Sequence, residues 1–158
     1  MELAKKRITL FLTSTVSGGT KAGEVRYDIS HLSSQLKINK RYRLTLQCFT
    51  FFADSGITKN KAISLQIPEF IQDGSILRAS TTSSNTGTLP ATCMAIMTTG
   101  EGNDNRNLRF QGNGADGVEG YFSQNLVTVR LIDMSTGSVF AFTNDVNYGL
   151  HLSIDELE

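Results

Sequence analysis

Residues 41–52 read RYRLTLQCFTFF, and this run decides the fold. Tyr42, Leu44, Leu46 and Cys48 fall on one side of an extended chain, with Arg43, Thr45 and Gln47 on the other. Side chains alternate across a strand, so a period of two marks a strand and not a helix. The turn cluster Asp54-Ser55-Gly56 closes the run. Upstream, Ile8, Leu10 and Leu12 alternate in the same way, as do Val25, Tyr27 and Ile29, and residues 30–36 have room for one helical turn. Downstream, Ile63, Leu65 and Ile67 form the next strand, and Pro68 marks its end or an edge position.

The middle of the chain is less regular. Residues 75–80 fit a short strand, 80–88 a polar loop and 92–98 a buried strand. Residues 100–120 are loop-rich, with a short strand around Leu108 and Phe110. Regular alternation returns at 125–132, 138–143 and 148–154, and Asp133 to Gly137 joins the first two as a hairpin loop. About eight short strands without a sustained helical period predict an all-β protein. The expected fold is a single jelly-roll or Greek-key antiparallel β-sandwich, forming one domain over residues 1–158. Its core is expected to hold Ile8, Leu10, Leu12, Leu44, Leu46, Ile63, Leu65, Leu126, Leu150, Leu152 and Ile154.

Composition agrees. Thr, Ser, Gly and Asn make up about a third of the 158 residues and charged residues 19%, a mix that favours strands and turns over solvated helices. A chain of this length buries roughly 70% of its unfolded surface, enough for a core without staples. Fifteen basic residues balance fifteen acidic ones, so no net field draws the chain to nucleic acid or to an anionic membrane, and neither is expected as a partner. The five-residue stretch 8–12, four apolar residues broken by Thr9, is too short for the apolar region of a signal peptide. Cys48 and Cys93 sit in strand-like runs and read as free buried thiols of a reducing compartment, and synthesis in the cytosol is expected.

Chemical motifs are sparse. Residues 112–117 satisfy GxGxxG, but the following VEGYF has no helical period to hold a pyrophosphate. The same stretch approaches a single copy of a calcium nonapeptide, which binds only between stacked copies. Glu101, Asp104, Asp116 and Glu119 could supply oxygen ligands, but a solvated loop is the simpler reading; neither metal nor cofactor is expected. His31 and His151 are the only histidines, and no nucleophile elbow or paired-carboxylate motif accompanies them, so the chain reads as a non-enzyme. The clusters Lys5-Lys6-Arg7 and Lys37, Lys40, Arg41, Arg43 read as solvated strand entrances. Without Trp and with four Tyr, the sequence offers a thin stacking platform for sugars.

The informative anomaly is apolar residues on both faces of strands. Phe11 alternates against Leu10 and Leu12, Phe49 and Phe51 against Leu46 and Cys48, and Phe140 and Phe142 against Val139 and Ala141. Such strands are covered on both faces, by the chain itself or by a partner. On the second alternative Phe11, Phe49, Phe51, Phe140 and Phe142 are the candidate subunit contacts of a homo-oligomer.

The succession NLVTVRLID (125–133), a Gly-containing turn, SVFAF (138–142) and YGLHLSI (148–154), together with YRLTL (42–46) and ISLQI (63–67), resembles the strand layout of small single jelly-roll capsid proteins. These are the penton and minor capsid proteins of large icosahedral double-stranded DNA viruses. The resemblance implies a structural subunit that packs against its own copies and other capsid proteins in the virion, assembled in the host cytoplasm. Lack of a long basic arm departs from many capsid proteins and implies an outer-shell role without genome contact. The alternative is a ligand- or receptor-binding sandwich, a tumour-necrosis-factor-like or lectin-like trimer.

Overall fold

The structure, a computed structural model, describes residues 6–14, 20–57, 61–72, 76–79, 85–89, 93–100, 102, 105–111 and 117–157. The strands in chain order are β1 (Arg7–Thr13), β2 (Thr20–Ala22), β3 (Glu24–Asp28), β4 (Arg41–Ile57), β5 (Ala62–Gln66), β6 (Phe70–Gln72) and β7 (Ile76–Ala79). They continue with β8 (Asn85–Leu89), β9 (Cys93–Thr98), β10 (Asn105–Gln111), β11 (Val118–Phe122), β12 (Leu126–Asp133), β13 (Ser138–Val139) and β14 (Ala141–Glu156). A single 3-10 turn, Ser30–Leu32, follows β3, where one helical turn is expected.

All pairings are antiparallel, and they nest. β1 pairs with β14, β3 with β12, β4 with β10 and β11, and β5 with β9. The chain is therefore one long hairpin rolled up on itself, which is the winding of a jelly roll. One sheet runs β1-β14-β4-β11-β6, with β10 continuing the β11 edge of β4 and β2 added to β14; the other runs β13-β12-β5-β9, with β3 beside β12. β7 and β8 form a separate hairpin. β8 and the end of β4 are strands where loop and turn are expected, and β2, β6 and β11 carry no alternation long enough to betray them.

The inner faces meet in one core. Of the eleven expected core residues, ten are buried there; the exception is Leu126. On β12 the inward set is Val127, Val129 and Leu131, so Leu126 is out of phase by one residue and half-buried.

A bulge in β4 decides which rings belong to the core. Leu46 pairs with Leu152 and Cys48 with His151, so β4 spends two residues where β14 spends one. Gln47 and Cys48 then both lie on the outer face, Gln47 Nε2 donating to Ser153 Oγ at 3.1 Å. The inward phase switches from Tyr42, Leu44 and Leu46 to Phe49 and Phe51, which are 0% and 5% exposed. The expectation that Phe49 and Phe51 stand opposite the core is thus corrected. Phe49 packs on Tyr148 and Phe51 on Phe142, with ring centroids 5.6 and 5.3 Å apart. Phe140 and Phe142 lie 4.7 Å apart and pack half-buried against the same core, so the expectation that they stand opposite it is corrected, although both keep an exposed part.

Two tyrosines tie the layers together. The Tyr27 hydroxyl on β3 meets that of Tyr148 on β14 at 3.4 Å, across the core. Burial, then the Tyr27 contact, raises the Tyr148 phenol far above its ordinary 10.0, and burial raises Tyr27 as well. In the unfolded chain both ionise near the ordinary value, whereas the folded state holds them neutral. Stability is therefore complete below about pH 10 and falls as the pH climbs above it. Urea midpoints measured from pH 8 to 11 are expected to show that decline, and Tyr148→Phe is expected to flatten most of it.

Candidate functional site

The outer face of the first sheet presents three cross-strand rows on β1, β14 and β4. The first is Phe11–His151–Cys48, the second Thr13–Gly149–Thr50, and the third Asn147–Phe52. The rows lie roughly 7 Å apart along the strands, and neighbouring strands about 4.8 Å apart. Phe11 is 74% exposed and stacks on His151, ring centroids 4.4 Å apart and planes at 21°. Phe52 is 44% exposed at the far corner. With no side chain on Gly149, the middle row is sunk between the other two. Two shallow openings, of about 440 and 450 Å³, share Thr13, Thr50 and Gly149, so they form one continuous trough. Asn147 lines the trough, while its Oδ1 is buried away from the opening and has no hydrogen-bond partner among the described residues.

Of the five rings expected at subunit contacts, Phe11 alone faces away from the core. The same phase puts His151 opposite the core, as its alternation with Leu150 and Leu152 requires. Phe52, Gly149 and Asn147 carry no sequence signal of a site, because only the bulge and the pairing with β1 bring them together. Cys48 is a free, half-buried thiol in the first row, and the side chain of Cys93 lies outside the described residues.

The opposite end of this face is electrostatically closed. Arg7 donates to Asp155 at 2.6 and 3.0 Å, Arg43 to Glu119 at 2.7 Å, and Lys40 to Glu156. Hydrogen bonding to Arg43 and to Lys40 holds Glu119 and Glu156 below the usual carboxylate range. Arg7, Lys40 and Arg43 of the basic clusters are thus spent locally, and Glu119 is committed to Arg43. The other suggested calcium ligands, Glu101, Asp104 and Asp116, lie outside the described residues, as do residues 112–116 of the GxGxxG stretch. Among the described residues no three His, Cys, Asp or Glu side chains gather, and no helix is long and apolar enough to cross a membrane.

A second polar feature sits where the chain crosses between sheets. Thr128 on β12 pairs with β3 on one edge, but β5 pairs with β12 only from Arg130 onward, leaving the other edge of Thr128 uncovered. Glu69, in the turn between β5 and β6, fills the gap: Oε1 accepts the Thr128 N–H, and Oε2 accepts the Thr128 hydroxyl at 2.8 Å. The Glu69 carbonyl in turn accepts the Ser123 N–H at 2.9 Å and its hydroxyl at 3.2 Å. Glu69 is 8% exposed and lines a cleft of about 240 Å³ with Arg26 and Arg130. Arg130 is bound to Glu24 at 2.9 Å, and Arg26 approaches the same carboxylate at 3.9 Å. The cleft's two cations are engaged by Glu24 and its one carboxyl group is held by Thr128, so it reads as a staple between crossovers.

No family profile matches the chain. No curated protein matches it either. Among solved structures it is similar to the Drosophila NLP core, described for pentamer formation and histone binding, at 12% identity and TM-score 0.34 over 97% of this chain and 99% of that one. It is also similar to the particle protein of Macrobrachium rosenbergii extra small virus, at 8% identity and TM-score 0.33 over 100% and 84%. A third is turnip yellow mosaic virus, at 12% identity and TM-score 0.32 over 99% and 84%. Likenesses this slight carry no functional argument; the jelly-roll winding follows from this chain's own strand pairing.

Proposed function

We propose that the chain is a non-enzymatic structural subunit, a minor capsid or penton-type shell protein of a large icosahedral double-stranded DNA virus. It associates with its own copies and with other shell proteins, is assembled in the host cytoplasm and resides in the virion. The observation that carries this reading is one row on the outer face of the second sheet, Val139–Ile132–Ser64–Ile96, spanning four strands. Its two ends, Val139 and Ile96, are 40% and 54% exposed while Ile132 and Ser64 between them are buried, so apolar side chains stand in water at both flanks of that face. With Phe11 and Phe52 on the other sheet, the sandwich leaves apolar groups uncovered on two opposite sides. A tile with neighbours on more than one side uses such groups, and a solitary domain gains nothing from them.

Native mass measurement at micromolar concentration is expected to show a closed homo-oligomer. Each apolar side chain buried at the contact contributes about 1.5–3 kcal/mol. Ile96→Ser with Val139→Ser is therefore expected to dissociate the oligomer and leave the β-rich circular dichroism spectrum unchanged. A parent protein that stays monomeric rules out intrinsic self-assembly.

A further inference from the structure

β1 is an open edge. Among the described residues no strand pairs with its far side, while its near side follows β14 in unbroken register from Arg7 with Asp155 to Thr13 with Gly149. Both ends fix the parity of that pairing: the Ser14 N–H donates to the Tyr148 carbonyl at 2.9 Å, and the Lys6 carbonyl accepts the Glu156 N–H at 3.1 Å. In an antiparallel pair the N–H and C=O of one residue turn to the same side, and successive residues alternate. Ile8, Leu10 and Leu12 therefore bond to β14, and Thr9 and Phe11 between them turn both groups out of the sheet.

Proteins blunt such edges with shortness, charge, proline or a bulge. The other margins of the two sheets are blunted in these ways. β2 and β6 have three residues each and β13 two, β3 alternates Glu24, Arg26 and Asp28, and β9 and β10 each meet a slip of register. β1 has seven residues, no proline or glycine, and one charge, Arg7, which Asp155 holds at 2.6 Å. Cover over the core is also thinnest here: Ile8, Leu10 and Leu12, at 7%, 9% and 9%, are its most exposed members.

We propose that β1 adds edge to edge to β1 of a second copy, joining the two first sheets into one continuous sheet across a twofold axis. The sequence of β1 selects that occupant. Laid antiparallel on itself with all seven residues overlapping, RITLFLT sets Leu10 opposite Leu10, Ile8 opposite Leu12, Thr9 opposite Phe11 and Arg7 opposite Thr13. Apolar side chains meet on the core side, and no like charges are opposed. The same register sets the outward groups of Thr9 against those of Phe11, whereas a shift by one residue sets outward groups against inward ones. Main-chain bonds supply the attachment, as in strand addition generally, and the patch is its own complement, as a twofold contact requires. The proposal rests on the reading of the chain as a self-associating subunit, but it uses the edge of the first sheet and not the outer face of the second.

Native mass and amide exchange of the full chain test it. At micromolar concentration the parent is expected to hold an even number of subunits, with the Thr9 and Phe11 amides exchanging about a hundredfold or more slower than after dilution to monomer. Thr9→Pro deletes only an outward N–H, which an edge strand tolerates, and is expected to halve the native mass with the β-rich circular dichroism spectrum kept. Leu10→Pro deletes the N–H facing Leu152 and is expected to unfold the chain. If Thr9→Pro fails to fold, the two amides of the parent decide. A folded Thr9→Pro at parental mass overturns the proposal, and a folded Leu10→Pro shows the parity of the edge to be wrong. Fast exchange at both amides in an oligomeric parent overturns it too and leaves the contact of the second sheet standing. Slow exchange in a monomeric parent means that the chain covers its own edge, and fast exchange in a monomeric parent removes both self-contacts. An oligomer that survives Ile96→Ser with Val139→Ser and keeps both amides slow upholds the edge pairing and removes the second sheet from self-association.

Discussion

Replacing Phe49 and Phe51 together by Ser is expected to unfold the protein, not to separate subunits. Both rings point into the core because the bulge at Gln47 reverses the phase of β4 after Leu46. Truncating a buried Phe costs about 3–5 kcal/mol through lost transfer energy and the cavity left behind. Serine adds a buried hydroxyl, so the pair removes most or all of the roughly 5–15 kcal/mol that holds a domain together. Far-UV circular dichroism is expected to lose its β signal, and limited proteolysis to digest the variant completely. Phe11→Ser is the matched control: its ring is 74% exposed, and the melting temperature is expected to stay close to that of the parent. A folded double variant would show that the bulge is misplaced and the phase of β4 wrongly drawn.

Glu69→Ala is expected to be the most damaging single change at a charged residue. The side chain substitutes for a strand where β5 does not reach, taking the Thr128 N–H and hydroxyl inside the sheet. Its removal leaves a buried backbone donor and a buried hydroxyl without their partner, which costs about 1–3 kcal/mol, while the Ser123 bonds to the Glu69 carbonyl are kept. A total near 3 kcal/mol is expected in urea unfolding. Glu69→Gln retains an acceptor and should cost about 1 kcal/mol. Amide exchange at Thr128 gives the local readout, slow in the parent and in Glu69→Gln, fast in Glu69→Ala. Equal midpoints for parent and Glu69→Ala would remove the staple from the account of stability.

The fold was legible wherever alternation runs unbroken. Ile8–Leu12, Tyr42–Leu46, Ile63–Ile67 and Leu150–Ile154 each disclose a strand and its inward face, because a period of two needs no knowledge of neighbours. Alternation says nothing of where it slips. At Gln47 one extra residue turns Phe49 and Phe51 inward, and only the opposing strand β14 reveals the miscount. Short strands were illegible for a different reason. β11 contains Gly120, a poor strand residue by propensity that is required because the Ile71 carbonyl presses against it. Of the trough, the sequence disclosed Phe11 and His151, which break or follow a local pattern. Gly149 and Asn147 gain meaning only beside Thr13, Thr50 and Phe52, from strands far apart in the chain.

The rolled hairpin also sets a timetable for synthesis. β14 lies between β1 and β4, so the middle strand of the first sheet is the last of its strands to be made; the pair Arg7–Asp155 spans 148 residues. At about 5–20 residues per second, β4 waits on the order of ten seconds for β14, its other edge meeting β10 and β11 sooner, and Leu44, Leu46, Phe49 and Phe51 stay incompletely sheltered until then. β1 waits longer with Ile8, Leu10 and Leu12. β4, β6, β10 and β11 can pair before β14 is made, but closing the sheet with β14 and β1 is a late event dominated by distant contacts, with refolding in milliseconds to seconds. Yield in the cell is then governed by what shelters β1 and β4 during that interval, so slowing translation lengthens the hazard, while holding chaperones that occupy those strands relieve it.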